Sequence, residues 1–324
     1  MSFSVSVLIP TYNYGDKIIY AINSVLNQSY PQSLVEIIVV DDGSTDNTRI
    51  VLDKFIKNKS IIYFYQSNKG KASATSQAIK LSSGSIIFCL DADDIFYSEK
   101  IQETVTIYEK HTNVVHVSTP AQIKYLNGNS SIENIPKFLL NRPIEGAFVL
   151  NYFFSNNILF GGGSTFSCLA SVLKYANFPD SINMYIDELL IIIALSKGAT
   201  YFIAEPLSIW NVHQNNFSVH SDKDSKMFQK NKSLLYSSNA LLFYLNDLNV
   251  NFNFKKLYYL KHQIRLIYFA ELENRKSLFL IIQFILNSFI KNRYSYTTHL
   301  KYSTFNRLLP TQIISFLKHI RPKK

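Results

Sequence analysis

Only two of the 324 residues are cysteine, Cys89 and Cys168. That count supports no disulfide framework, and with Cys89 inside an apolar run a reducing compartment is expected. Charge is sparse as well: 17% of the chain is Asp, Glu, Lys or Arg against 47% hydrophobic, which excludes a disordered polyelectrolyte and allows a large core. Long apolar runs are missing. The longest, residues 278–290, is interrupted by Gln283, Asn287 and Ser288 and falls short of the ~20 residues a spanning helix needs. Residues 2–10 read as a strand without a basic leader, so neither a signal peptide nor a transmembrane segment is expected. These absences together point to the cytoplasm.

Acidic residues are scarce in one part of the chain only. Residues 1–222 hold 15 Lys and Arg against 19 Asp and Glu, a net of −4, whereas residues 223–324 hold 18 against 4, a net of +14. The expectation is a mildly acidic globule over 1–222 followed by a basic helical region over 223–324, which carries 18 aromatic residues. Such asymmetry implies an anionic partner surface. No recognised nucleic-acid-binding motif accompanies the charge, so nucleic acid is not the expected partner. Helices read over 257–272 and 278–290, with Lys261, Arg265, Arg275, Lys276, Lys291 and Arg293 set among Tyr and Phe. They fit peripheral contact with an anionic membrane, on the inner face of the cytoplasmic membrane. They also fit a helical subdomain that packs its aromatics on the rest of the chain.

The first 100 residues alternate. Strand-like runs at 5–10, 35–40, 61–65 and 85–90 are separated by helical patterns at 17–28, 48–56 and 71–81, and such β-α alternation predicts a mostly parallel sheet flanked by helices. Runs without polar alternation suit strands buried on both faces. Two of them stop in acid: 35–40 runs into Asp41-Asp42, and 85–90 into Asp91-Ala92-Asp93-Asp94. Open α/β sheets bind ligands beyond the carboxyl ends of their strands, and paired carboxylates there suit a hard divalent ion that in turn attracts a diphosphate. An acidic turn in water, or a helix cap at Asp41-Asp42, would leave the same letters.

Further along, Gly161-Gly162-Gly163-Ser164-Thr165 allows close approach of the backbone to a ligand, or a flexible turn. Asp187-Glu188 opens an apolar helix at 189–195, where the helix dipole alone would favour acids. Residues 201–209 return to the sheet, and Trp210-Asn211-Val212-His213 follows.

Taken together, Ile9-Pro10-Thr11-Tyr12-Asn13, Val39-Val40-Asp41-Asp42-Gly43-Ser44-Thr45-Asp46, Asn68-x-Gly70, Gly84 and Leu90-Asp91-Ala92-Asp93-Asp94 resemble the family 2 glycosyltransferases with the GT-A fold, over about residues 3–220. The resemblance implies a GT-A type α/β domain with a C-terminal helical appendage. It implies donor contacts from Pro10, Tyr12 (a ring on the nucleobase), Asp42 (accepting from the base), Asn68 and Asp91 (near the ribose). It further implies Asp93 as ligand of Mn²⁺ or Mg²⁺, with His213 reaching the metal or diphosphate and Asp94 in reserve. The family's general base falls on Asp187, with Glu188 in reserve, although Ile186 stands where a Glu is usual. Thr75-Ser76-Gln77-Ala78 replaces an Arg-Asn-x-Gly pattern and leaves Lys71 as the phosphate partner there.

The implied activity is inverting transfer from a nucleotide diphosphate sugar, UDP-sugar favoured, to a hydroxyl of a glycan or lipid-linked acceptor, as in bacterial polysaccharide synthesis. A sugar nucleotidyltransferase would need a Gly-rich phosphate loop after the first strand, and Pro10-Thr11-Tyr12-Asn13-Tyr14 is not one. A catalytically degenerate nucleotide-sugar-binding or membrane scaffold protein remains the alternative, resting on Ile186 and Thr75-Ser76.

Overall fold

The structure is a computed structural model that describes residues 3–156, 158–176, 178, 182, 185–213, 225–248, 250–273 and 278–290. In chain order it runs β1 (Val5–Thr11), α1 (Ile18–Leu26), β2 (Val35–Asp41), α2 (Thr48–Lys57), β3 (Ile62–Tyr65), α3 (Lys71–Leu81), β4 (Ile86–Cys89), β5 (Ile95–Phe96) and α4 (Lys100–Lys110). It continues with β6 (Val114–Ser118), β7 (Ala121–Lys124), β8 (Ser130–Ile132), β9 (Pro143–Glu145), α5 (Gly146–Asn156), β10 (Ser167–Leu169), α6 (Ala170–Leu173), α7 (Ile186–Leu195), β11 (Ala199–Phe202) and β12 (Ser208–Asn211). Three helices follow: α8 (Ser225–Tyr244), α9 (Phe252–Leu272) and α10 (Leu278–Ile290).

The main sheet has the order β3-β2-β1-β4-β10-β6-β11-β9. β1 pairs in parallel with both β2 and β4, so strand order reverses at β1 and opens a crevice at the carboxyl ends, where open α/β sheets bind ligands. β10 runs antiparallel between β4 and β6, and β9 antiparallel to β11. Because successive side chains alternate across a strand, Val5, Val7 and Ile9 pack with Ile18, Ile22, Leu52, Ile101 and Val105 of α1, α2 and α4. Leu8 turns to the other face and packs with α3, α5, α7 and α9. The sequence expectation of one strand over 201–209 is corrected: β11 joins the main sheet, and β12 crosses to a second, four-stranded sheet of order β5-β12-β7-β8.

The helical region is continuous with this core. Leu241, Tyr244, Phe254, Leu257 and Tyr258 belong to the same buried cluster as Leu8, Val149 and Leu190. The expected boundary at 222/223 lies outside the described residues. α10 packs on α9 through Phe284, Leu260 and Ile267, leaving Phe279 and Ile282 exposed. Among the described residues no helix is long and apolar enough to cross a membrane.

One cation is buried without a carboxylate. Lys100, at the start of α4, is 1% exposed and donates to Thr119 Oγ1 at 3.2 Å, the Thr165 carbonyl at 3.3 Å and Ser208 Oγ at 3.4 Å, tying the loop before β10 to the small sheet. Burial pulls its pKa from 10.5 down to about 7. The unfolded chain therefore binds the proton more tightly between those values, and the Lys100 contribution makes stability rise with pH from about 7 to about 10.5. Denaturant midpoints of wild type and Lys100→Met across that window are expected to converge as pH rises. Parallel curves would show Lys100 charged throughout.

Candidate active site

The loops leaving β1, β2 and β4 form one wall of a cavity of roughly 1310 Å³. Pro10, Tyr12, Asp42, Asn68, Lys71, Asp91, Asp93, Asp94, Asp187 and Glu188 all line it, so the topology gathers ten of the eleven residues singled out from sequence. The eleventh, His213, reaches the wall through Asp93.

On the β1–β2 side the loops are knitted by hydrogen bonds. Asn13, in the left-handed region at φ 58°, donates its N–H to Ser44 Oγ and accepts from the Thr45 N–H at 2.8 Å. Asp41 holds the turn: it accepts from the Ser44 N–H at 2.8 Å and from the Tyr63 hydroxyl at 2.9 Å. Asp42 accepts from Gln66 Nε2 at 2.7 Å and the N–H groups of Lys69 and Gly70 at 2.9 and 2.7 Å. A carboxylate offers about four lone-pair sites, so one is left for a ligand. Tyr12 stands 44% exposed at the rim, which leaves a ring face open.

At the end of β4, carboxylate oxygens of Asp91, Asp93 and Asp94 lie within 4.8 Å of one another. Asp94 is buried and accepts from the Ser164 hydroxyl at 2.6 Å and the Asn211 N–H at 3.0 Å. Burial pushes its pKa well up, and Asp91 and Asp93 push it further. Asp93 Oδ2 lies 2.8 Å from Nε2 of His213. Burial raises the nearby Tyr14 phenol, with Asp93 and Asp91 adding to the shift. Three carboxylates this close repel, and a divalent cation would relieve them. An oxygen-rich set with one imidazole suits Mn²⁺ or Mg²⁺.

Lys71 closes the gap between this cluster and the opposite wall. Its Nζ lies 2.7 Å from Asp91 Oδ1 and 3.7 Å from Asp187 Oδ1. Burial alone would lower the ammonium pKa, but Asp187 and Asp91 outweigh it and hold the charge. Asp187 sits in the first turn of α7, its carboxylate open to the cavity yet enclosed by protein. Burial raises its pKa, opposed by Lys71, with Asp91 adding and the Gly163 N–H subtracting. Gly162 is required here: a Cβ on it would come 2.9 Å from Cβ of Asp187.

Glu188 points the other way, into the protein. Its carboxylate lies 2.6 Å from Lys261 Nζ and 3.4 Å from Arg265, both on α9. Burial would raise its pKa, but the two cations prevail and hold it at about 2. Burial also draws the Lys261 ammonium down. Arg265 adds to that fall, and the Glu188 carboxylate at 2.6 Å opposes it. The guanidinium of Arg265 stacks 4.1 Å from the Tyr185 ring, and Tyr185 occupies the left-handed region at φ 61° just before α7. Two of the cations read from sequence as membrane-facing are thus spent inside. Arg275, Lys276, Lys291 and Arg293 lie outside the described residues.

Tyr14, Ser164, Asn211, Lys261 and Arg265 were not legible as site residues. The last two had a signal, an i, i+4 pair of cations on one face of a largely apolar helix.

The glycosyl transferase family 2 model matches residues 6–205. The chain belongs to this family. Among curated relatives, a UDP-Glc:α-D-GlcNAc-diphosphoundecaprenol β-1,3-glucosyltransferase, WfgD of Escherichia coli, is 33% identical over 147 residues, covering 45% of this chain and 51% of that one. Glycosyltransferase GlyG of Streptococcus pneumoniae serotype 4 is 37% identical over 119 residues, covering 36% and 38%. The family member described here thus matches these relatives over about half of their length or less. Among solved structures, S. aureus TarS 1–349 with UDP-GlcNAc superposes with a TM-score of 0.62 at 17% identity, over 88% of this chain and 81% of that one. The mannosyltransferase PcManGT from Pyrobaculum calidifontis, with GDP-Man and Mn²⁺, gives 0.55 at 17%, over 99% and 89%. At such identity these likenesses concern the fold, and they agree with a GT-A type sheet flanked by helices.

Proposed function

We propose that this family 2 member transfers a sugar from a nucleotide diphosphate sugar, UDP-sugar favoured, to an acceptor hydroxyl with inversion, in bacterial-type polysaccharide or glycoconjugate synthesis. The observation that carries the reading is the placement of the Asp91-Asp93-Asp94 cluster and Asp187 on two sides of one cavity, with Lys71 between them. Tyr12 and Asp42 would hold the base, with Pro10 and Asn68 beside them, and Asp91 the ribose. Asp93 and His213 are the proposed ligands for Mn²⁺ or Mg²⁺, with Asp94, each of whose oxygens already accepts one hydrogen bond, in reserve. When bound, the ion offsets charge on the leaving diphosphate.

The chain's own residues do the rest. An arriving diphosphate competes with Asp91 and Asp187 for the Lys71 ammonium and thereby frees Asp187. Asp187 then takes the proton from the acceptor hydroxyl as its oxygen attacks the anomeric carbon; one displacement inverts that centre. Burial has already raised the basicity of Asp187. Thermal-shift screening of UDP-, GDP- and dTDP-sugars with Mn²⁺ is expected to single out a UDP-sugar, because a bound donor stabilises by an amount set by its affinity. No shift with any donor would favour the membrane scaffold, and a donor shift without transfer or donor hydrolysis the degenerate nucleotide-sugar-binding protein.

The division into a catalytic part over 1–222 and a basic helical part over 223–324 carries a second element of the proposal. The appendage contacts an anionic membrane from the cytoplasmic side, where a lipid-linked acceptor is presented. With Lys261 and Arg265 turned inward, the exposed Phe279 and Ile282 of α10 are the described residues that favour it. Cosedimentation with phosphatidylglycerol vesicles is expected for the full chain and reduced for Phe279→Ser/Ile282→Ser. Equal behaviour of the two proteins would remove α10 from the contact.

A further inference from the structure

The small sheet, which meets the Asp93-Asp94 corner through Asn211, supplies part of the cavity lining. Ser208 and Trp210 alternate onto one face of β12, and that face is fixed toward the glycine loop because Lys100 holds both Ser208 Oγ and the Thr165 carbonyl. Ala121 is the register partner of Ser208 on β7, and Glu133 folds over it: the Ala121 N–H donates to Glu133 Oε2 at 3.3 Å, and the Glu133 N–H donates to the Ala121 carbonyl at 2.9 Å. Trp210, Ala121 and Glu133 therefore form one surface on the cavity that Leu159 and the glycines also line.

Two groups on this surface keep unused binding capacity. Trp210 is partly exposed to the cavity, and among the described residues no ring or cation stacks on it. The Glu133 carboxyl has no cation beside it, and the Ala121 N–H is its single hydrogen-bond donor among the described residues. Burial pushes its pKa up to about 7, the Ala121 N–H opposing. A half-buried carboxyl with an oxygen open to the cavity, on the same surface as a partly exposed indole, suits a ligand that brings hydroxyls.

We propose that Trp210 and Glu133 form a subsite for a pyranose ring of the acceptor, stacked on the indole and hydrogen-bonded through a hydroxyl to the Glu133 carboxyl. An aromatic face takes the apolar C–H side of such a ring, and the carboxyl reads its hydroxyls. The assignment rests on the glycosyltransferase reading for its direction: Trp210 and Glu133 line the same cavity as the proposed base, Asp187, so a ring held here shares that space with the base. The proposed nucleobase contacts, Tyr12 and Asp42, lie instead on the loops that leave β1 and β2.

The chain carries a single tryptophan, so its emission reports this wall. The full chain, with UDP and Mn²⁺ present, would be titrated with the methyl β-pyranosides of glucose, galactose and N-acetylglucosamine, and with sorbitol as acyclic control. A saturable change with at least one pyranoside and none with sorbitol is expected, and Glu133→Leu should weaken it about tenfold. Emission unmoved by every pyranoside up to about 0.1 M, or a response indifferent to Glu133→Leu, overturns the subsite. A response only to an intact UDP-sugar would assign the wall to the donor and likewise overturn it. UDP stabilisation, measured separately by thermal shift, establishes that Glu133→Leu is folded. Its absence in wild type would count against the glycosyltransferase reading, while the pyranoside titration would still decide the wall.

Discussion

Asp187→Asn is expected to bind nucleotide sugar as wild type does and to lose transfer by about 10²- to 10⁴-fold, the usual contribution of a general base. Asn is isosteric and keeps the acceptor that the Gly163 N–H uses, but it cannot take a proton. It also removes the partner that Lys71 shares with Asp91, so donor affinity is expected to hold or rise. Coupled assay of diphosphonucleoside release, run beside donor thermal shift, separates the two effects. The competing assignment is Glu188, and its surroundings argue against it. An acid held at about 2 by Lys261 and Arg265 is a poor proton acceptor, and its carboxylate is turned to α9. Glu188→Gln is accordingly expected to fail differently, through stability, because it leaves two half-buried cations without their carboxylate. A well-folded, inactive Glu188→Gln beside an active Asp187→Asn would transfer the role.

Asp93→Asn should remove divalent-dependent donor binding. Loss of groups that merely orient a metal ligand costs about 10- to 100-fold in metal affinity, and loss of a ligand's charge should exceed that. The fold should persist, since Asp94 and not Asp93 carries the hydrogen bonds to Ser164 and the Asn211 N–H. Mn²⁺ titration of donor binding by calorimetry is the measurement. Unchanged Mn²⁺ dependence in Asp93→Asn, with loss in Asp91→Asn, would relocate the ligand to Asp91.

The contrast between Asp93 and Asp94 shows what a sequence can and cannot disclose. The strand that delivers the carboxylates was plain from its unbroken β-branched and aromatic run, and the β-α alternation placed Tyr12, Asp42 and Asp91 on one sheet edge without coordinates. Which carboxylate is spent inside the protein depends on Ser164 and Asn211, 70 and 117 residues away along the chain, and no local pattern encodes that. The small sheet was hidden for a similar reason. β12 reads as the continuation of β11, and only the pairing of Ser208 with Ala121 and Phe96 reveals that the chain has changed sheets. The helices after residue 223 were legible as helices, but their charge misled. A net of +14 says nothing about which cations face water, and Lys261 and Arg265 are drawn inward by one acid in a helix otherwise all but apolar.

That inward pairing bears on how the chain is made. Lys261 lies 73 residues beyond Glu188, so at synthesis rates of about 5–20 residues per second the acid waits on the order of several seconds for its first cation. During that interval α7 cannot bury Glu188 as an ion, and the wall that bears Asp187 cannot settle. The ribosome must therefore deliver α9 before the active site closes, and any fusion or circular permutation that cuts the chain between α7 and α9 should yield an amino-terminal fragment that waits for its other half.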